Sequence, residues 1–441
     1  MRKLLLSVLM LLCACSFGRA LDRQPNADYR ARREALAKKA AGVVVLLAPL
    51  EGQDAVYEFR QENNFYYLSG VTVPGAGLLI APAIEAQGDT PARAYTEILF
   101  LPPRNLRLEK FTGPQLGADS PDAPKITGFD HVAEMGRLPD EISKVLAAGR
   151  PVIYTDLASD GANASNIEPL SFLKRTNTFL LFQDVKPMLA SLRTVKDSGE
   201  AALIRKAVDA SVAAHLAAMK AVKPNVAEYE ISGLMQYEWV KRGCERPSYA
   251  PIVGSGHNST VLHYSEDTNT MKTGDVVVID AAAEYSMYAA DITRTLPVNG
   301  HFTARQREIY DIVLGAQEAA MAAFQSGKSM LGGDSDTSLN KVAREYIKTH
   351  GKDLHGQPLD QYFIHGLGHY IGLGVHDAGD YKLPLGPGSA FTIEPGIYIP
   401  EENIGVRIED DFYVDADGKL IKLSAALPSK AADVEKVMAG K

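Results

Sequence analysis

Residues 274–295 read GDVVVIDAAAEYSMYAADITRT, and residues 391–411 read FTIEPGIYIPEENIGVRIEDD. Each stretch is two strand-like runs, rich in β-branched and aromatic residues, folded about a short tip. A tip at Tyr285 and Ser286 would set Asp280 opposite Asp291, and a tip at Glu401 and Glu402 would set Glu394 opposite Glu409. Directly opposed residues on one face of an antiparallel pair lie roughly 5 Å apart at Cβ. Carboxylates held that close repel and raise one another's pKa unless a cation lies between them. A pair of divalent metal ions is the simplest cation set that fits.

Working outward, Asp197 with Glu200 and Thr303 with Gln306 both read as capping boxes that open helices. The first helix carries an apolar stripe at Ile204, Val208, Val212, Leu216 and Met219, the spacing of a buried face. The carboxyl-terminal half thus runs helices, aspartate ribbon, helices, histidine segment, glutamate ribbon, an order that suggests a duplicated helix-plus-ribbon unit. Upstream, apolar runs at GVVVLLAPL, NFYYLSG, AGLLIAP, TEILFLPP, PVIYTDL, SFLKRTN and TFLLFQDV read as strands alternating with helices, which implies an α/β layer. Residues 186–194 read as the boundary, giving an amino-terminal α/β domain over 21–190 and an α+β domain over 191–441.

With 46% hydrophobic and 23% charged residues the chain has an ordinary globular composition, and a net charge of -8 with no basic run argues against a nucleic-acid partner. Residues 1–20 read as an export signal: Arg2 and Lys3, then an apolar run from Leu4 to Leu12 that is too short to span a bilayer, which takes about 20 residues. Leu12-Cys13-Ala14-Cys15 resembles a lipobox with Cys15 as the lipidated residue, whereas Gly18-Arg19-Ala20 offers a cleavage before Leu21. Either route implies an exported chain, periplasmic or held at a membrane as a lipoprotein. Only Cys244 lies beyond that segment, so no internal disulfide is available to the mature fold, and Cys244 reads as a small buried residue. The sole tryptophan, Trp239, reads as core.

The remaining unusual segment is His365-Gly366-Leu367-Gly368-His369, followed by Val375-His376-Asp377. Two glycines between the histidines argue against a helical zinc motif. Four carboxylates with one imidazole form a mostly hard-oxygen donor set, which favours manganese-like ions over a thiolate zinc site. Paired ions of this kind, roughly 3.5 to 4 Å apart, activate water and polarise a carbonyl. Taken singly, Asp291 reads equally as a strand-end partner of Arg294, Glu394 as a turn flank, His369 as a core histidine, His263 as a strand residue and Arg407 as a salt-bridge partner of Glu409. The shared ribbon registry of the four carboxylates is what separates them from coincidence.

The strings IVGSGHN, LHYSED, VVVIDAAAEYSMYAADITRT, HGLGHYIGLGVHD, EPGIYIP and GVRIEDD resemble those of the pita-bread metallopeptidases, in the aminopeptidase P and prolidase branch, and residues 59–70 (FRQENNFYYLSG) resemble a signature of that branch's amino-terminal domain. The resemblance implies a pita-bread (creatinase/aminopeptidase-like) catalytic domain, with Asp280, Asp291, His369, Glu394 and Glu409 as ligands of two divalent ions, Mn2+ foremost, with Zn2+ or Co2+ as alternatives. It makes His263, His365 and His376 active-site histidines and gives Arg407 the task of orienting Glu409. It implies attack by water on the carbonyl before proline, with Glu394 taking the proton and His263 and His376 steadying the oxyanion. The substrates would be peptides with proline second, and the chain a homo-oligomer, dimer or tetramer. Two readings compete with this Xaa-Pro aminopeptidase: an Xaa-Pro dipeptidase (prolidase) and, more remotely, a metal-free hydrolase or noncatalytic peptide-binding relative. The prolidase-like HGLGH and short Tyr398–Arg407 tip, and Phe111 where aminopeptidase P relatives often carry tryptophan, leave substrate length open.

Overall fold

The computed structural model describes residues 22–52, 59–88, 92–147, 152–157, 170 and 180–440. The export segment, with Cys15 and its cleavage alternatives, lies outside the described residues, as do SFLKRTN and the first two residues of TFLLFQDV.

The amino-terminal layer is built from α1 (Asn26–Lys39), β1 (Val43–Leu47), α2 (Asn63–Ser69), β2 (Gly77–Ala81), β3 (Thr96–Leu101), β4 (Val132–Glu134), α3 (Leu138–Ala147), β5 (Val152–Thr155) and β6 (Leu181–Asp184). Its strands form one mixed sheet in the order β4-β3-β2-β1-β5-β6. The runs read as strands at GVVVLLAPL, AGLLIAP, TEILFLPP and PVIYTDL are strands. NFYYLSG is not: it forms α2. The Glu62 carboxylate accepts from the Phe65 N–H at the start, and Gly70 closes the end at φ +59, where a side chain would strike the Tyr29 ring at 2.4 Å. Phe65, Tyr66, Tyr67 and Leu68 are all buried, so no polar stripe marks the helical period.

The presumed boundary at 186–194 is itself a helix, α4 (Lys186–Arg193), which leads into the long α5 (Ser198–Ala221) and then α6 (Glu228–Val240). Asp197 and Glu200 make the reciprocal cap, at 2.8 and 3.1 Å. The stripe of α5 packs as its spacing requires, with Ile204, Val208, Val212 and Met219 buried and Leu216 packed against the same core. That core is shared, running without a break from Leu36, Phe65 and Leu68 in the amino-terminal layer to Ile204, Val208 and Ile279. Trp239 and Cys244 are buried within it.

After α6 come β7 (Arg246–Pro247), β8 (Ile252–Ser255), β9 (Val276–Asp280), β10 (Ala283–Tyr285), β11 (Tyr288–Ala289) and β12 (Thr293–Pro297). A second helix pair follows, α7 (Ala304–Ala323), opened by the Thr303 and Gln306 box, and α8 (Leu339–His350). The chain then forms β13 (Ala390–Ile393), β14 (Gly396–Ile399), β15 (Ile404–Arg407), β16 (Asp410–Val414) and β17 (Leu420–Lys422), and ends in α9 (Ala431–Met438). Helix α5 packs on β10 and β11, and α7 packs on β14 and β15. Each ribbon therefore has a helix at its back, and the two open faces meet between the helix layers.

Asp197 does more than cap, since it also accepts from Gln24 Nε2 at 2.8 Å and Arg32 Nη2 at 2.6 Å. Asp197→Ala is expected to lower the free energy of unfolding by about 1 to 2 kcal/mol, the upper part of the range for a lost N-cap. Urea titration of the purified chain measures this, and no change would show that the cap is redundant.

Candidate metal centre

The aspartate ribbon turns one residue beyond where its sequence symmetry places the turn, which shifts the pairing register by two. Tyr285 pairs with Tyr288 and Asp280 with Thr293, so the tip is Ser286–Met287, with φ of 50° and 72° at the two turn positions. Tertiary contacts hold it there. The Glu245 carboxylate accepts from the Ser286 N–H, Ser286 Oγ accepts from the Asp22 N–H at 2.7 Å, and Tyr285 stays in strand with its hydroxyl on Asp22. Asp280 is therefore not directly opposite Asp291. A slip of two preserves the side-chain face, whereas a slip of one reverses it. Both carboxylates reach the same point, and Tyr249 Oη lies 2.5 Å from Asp280 Oδ1 and 2.6 Å from Asp291 Oδ1.

The glutamate ribbon has the register its symmetry predicts. Gly396 pairs with Arg407 and Ile399 with Ile404 on one side, and Ile393 pairs with Asp410 on the other, which sets Glu394 opposite Glu409 between the two ladders. Asn403, in the left-handed region, completes the tip. Even-numbered side chains of β14 share the face of Glu394, and Gly396 leaves room for the Tyr398 hydroxyl, which a Cβ at that position would meet at 2.4 Å.

The histidine segment is irregular, as its glycines require. A Cβ on Gly368 would lie 2.0 Å from the Thr392 carbonyl oxygen, so only glycine lets this backbone lie against β13. Thr392 N–H donates to His369 O and Glu394 N–H to Leu367 O, tying the segment to the ribbon. His369 Nδ1 faces the Tyr370 carbonyl at 3.1 Å and so carries the proton. Its Nε2 is turned toward Asp291 Oδ2 at 3.3 Å and Glu394 Oε1 at 3.4 Å. The His376 ring meets the His369 ring edge-on, 4.3 Å between centroids, and His365 Nε2 lies 2.9 Å from the Tyr398 hydroxyl.

Arg407 does not hold Glu409. Its Nη2 donates to Asp280 Oδ2 at 2.6 Å and its Nη1 to Tyr398 Oη at 2.8 Å, while Glu409 Oε2 accepts from Thr293 Oγ1 at 2.7 Å. The glutamate and aspartate ribbons pack against each other here, so an arginine on one reaches the carboxylate of the other. Sequence spacing along a single ribbon could not reveal that. Asp280, Asp291, His369, Glu394, Glu409, His263, His365, His376 and Arg407 all line one cavity of about 510 Å³. Donor atoms of Asp291, His369 and Glu409 lie within 4.8 Å of one another. Tyr249, Thr293 and Tyr398 were not legible as site residues. Of these, Tyr398 and Thr293 leave a trace in the sequence, sharing strand parity with Glu394 and Asp291.

Charge balance tests whether this set could hold a metal. Four buried carboxylates face one guanidinium and one imidazole. Burial, with Asp291, Glu394 and Asp280 added to it, pushes the Glu409 carboxyl well above the usual range, and burial raises Asp280 against the pull of Arg407. Burial lifts Glu394 to about 8, although His369 opposes it. Burial disfavours charge on His369 too, but the Asp291 bond and the surrounding carboxylates prevail and raise it to about 9. Asp291 is held low despite burial by its bond to His369. A buried anionic cluster in want of positive charge, built of hard oxygens with one imidazole nitrogen, fits a divalent cation.

Known proteins agree with this chemistry. Residues 202–416 match metallopeptidase family M24, and residues 29–154 match the aminopeptidase P amino-terminal domain. The Xaa-Pro aminopeptidase of Haemophilus influenzae is 34% identical over 95% of this chain and 98% of its own length. This chain belongs to the aminopeptidase P branch of metallopeptidase family M24. The Xaa-Pro aminopeptidase of Escherichia coli is 33% identical over 93% of this chain and 97% of its own. Among solved structures, proline aminopeptidase P II from Yersinia pestis superposes with a TM-score of 0.80 at 32% identity, covering 95% of this chain and all of that one. A zinc-substituted Escherichia coli aminopeptidase P in complex with product gives 0.80 at 31%, covering 95% and 99%. The fold is thus an aminopeptidase P amino-terminal domain followed by a pita-bread catalytic domain.

The raised groups fix a pH signature. Folding without metal raises Glu394 and His369 above their ordinary values, so the folded metal-free chain binds more protons than the unfolded one and loses stability as pH rises from neutrality to about 9. Metal must displace those protons, so its affinity climbs over the same interval. Thermal melts with and without added Mn2+ between pH 6.5 and 9 are expected to diverge as pH rises. Parallel curves would contradict the charge balance.

Proposed function

We propose that the chain is a metal-dependent exopeptidase that hydrolyses the bond between an amino-terminal residue and a following proline. One observation carries the reading: all nine donor and polar side chains converge on a single cavity within an aminopeptidase P fold. Asp280, Asp291, His369, Glu394 and Glu409 would hold two divalent ions, and the oxygen-rich donor set favours Mn2+. When bound, divalent ions lower the pKa of water and polarise a carbonyl.

The chain's own residues supply the rest. Glu394, at the wall of the cavity, takes the proton of the attacking water and returns it to the proline nitrogen as the C–N bond breaks. His376, kept neutral by burial and by the nearby His369, and His263 donate ring N–H groups to the oxyanion. His365, held neutral near 4 by burial and Arg407, contacts Tyr398 and orients that wall. Arg407 holds Asp280 by Oδ2, leaving Oδ1 beside Tyr249 Oη. A bond to proline has no amide hydrogen and a fixed φ, so peptidases that grip an extended backbone handle it poorly and a dedicated pocket is needed.

A dipeptidase would use the same site, so substrate length is the discriminating assay. Turnover of an Xaa-Pro-Xaa tripeptide is expected, and turnover of Xaa-Pro dipeptides alone would replace this reading with prolidase. Retention of all five donor side chains separates the chain from a metal-free binding module, and less than one equivalent of metal after reconstitution would reverse that. Glu394→Gln is expected to keep the fold and lower kcat about 10²- to 10⁴-fold, the size of a lost general base. Near-normal turnover would remove Glu394 from that role.

Export belongs to the same proposal, supported by Arg2, Lys3 and the Leu4–Leu12 run. No described helix is long and apolar enough to cross a membrane. The intact mass of the exported chain separates a lipid on Cys15 from a chain beginning at Leu21. A dimer or tetramer is expected by sedimentation, on the resemblance alone.

A further inference from the structure

Helix α5 presents an apolar stripe to the ribbon, yet at its centre lie two buried polar side chains one turn apart, Ser211 and His215. A polar group sunk in an apolar face is costly unless it is bonded, so such a pair has a partner or a reason. Both partners lie in the aspartate ribbon, where its ladder opens. Regular pairing ends at Asp280 and Thr293 on one side and resumes at Glu284 and Ala289 on the other, in the same register. Within the gap Ala281 N–H donates to Ile292 O and Ala290 N–H to Ala283 O, each at 3.2 Å.

His215 Nε2 lies 3.0 Å from Ala281 O and 3.0 Å from Ile292 O. Both neighbours are acceptors only, so Nε2 carries the hydrogen and shares it between them. Ser211 Oγ accepts from the Ala283 N–H at 2.9 Å. The two carbonyls belong to the residues directly after Asp280 and Asp291. One imidazole thus ties together the two strands at the step where each presents its carboxylate to the cavity. Burial also holds this ring neutral, near 4, so the tie persists through the physiological range.

We infer that His215, assisted by Ser211, is a positioning residue of the metal centre: it fixes the opened segment of the ribbon so that Asp280 and Asp291 converge on one point. The inference rests on the metal-dependent reading above and adds a residue to it. Opening the ladder frees the backbone to turn both carboxylates inward, and it leaves Ala281 O without a strand donor, while Ile292 O keeps the Ala281 N–H and takes a second donor. His215 supplies the missing donor from the helix behind. A regular ladder would satisfy the backbone without the histidine, but it would not need Ala281 O and Ile292 O to meet on a helix side chain.

The test compares His215→Leu, which removes the donor at similar volume, with His215→Gln, whose side-chain amide can place an N–H near the position of Nε2. Titration of Mn2+ into each metal-free chain by calorimetry is the readout. His215→Leu is expected to bind the metal about 10- to 100-fold more weakly, the size seen when a group supporting ligands is lost. His215→Gln is expected to recover most of that, and Ser211→Ala to give a smaller loss. Should His215→Leu not fold, failure of His215→Gln to exceed Ser211→Ala in affinity overturns the inference. Wild-type affinity in His215→Leu overturns it as well. Absence of metal binding in the wild-type chain would instead defeat the metal-dependent reading itself.

Discussion

Four carboxylates brought together away from water are the constraint around which this molecule is arranged. Burial raises the Glu409, Asp280 and Glu394 carboxyls, and repulsion between neighbouring carboxylates, about 4 kcal/mol at roughly 4 Å near a protein surface, adds to it. No apolar packing near the cavity requires this crowding. The fold tolerates it because each carboxylate is held from behind: Asp280 by Arg407, Asp291 by its N–H bond to Asp411, Glu409 by Thr293, Glu394 by the bond from its N–H to Leu367. The supports are drawn from both ribbons and from the histidine segment, so the cluster can exist only when the two halves are assembled.

Ribbon parity explains how much of this could be read from the chain. Residues that alternate along a strand share a face whatever the exact turn, so the conclusion that Asp280 and Asp291 point the same way survived a tip displaced from Tyr285–Ser286 to Ser286–Met287. The glutamate ribbon was legible to the residue, because Asn403 and Pro400 restrict the tip and the apolar runs on either side are of equal length. Helix starts at Asp197 and Thr303 were legible for a similar reason, being decided by local hydrogen bonds within four residues.

What escaped the sequence shares one property: it depends on contact between segments far apart in the chain. Arg407 lies two residues from Glu409 yet bonds Asp280, over a hundred positions away. Tyr249 lies in no periodic pattern, and its value comes only from where β8 is led in beside the ribbon. The aromatic run at Asn63–Ser69 reads as strand on composition, and it is helical because Glu62 and Gly70 close its ends while both of its faces are buried. Propensity lost to capping and to tertiary burial there.

That same helix shows why the amino-terminal domain cannot be a passive attachment. Arg60, just before it, donates to Glu284 at the aspartate ribbon and to Leu373 O on the loop that carries His376. Asn64 accepts from Arg193, whose other nitrogen bonds the buried carboxylate of Asp377, the residue after His376, and Lys196 faces that carboxylate at 3.1 Å. Removing Asp377 would leave these two buried cations without their shared anion, at a cost of about 3 to 5 kcal/mol. The domain, its connecting helix and the loop are therefore fixed as one unit. The ribbon that presents the aspartates and the loop that presents His376 are gripped by a single guanidinium, so the geometry of the cavity is set partly by residues that never line it.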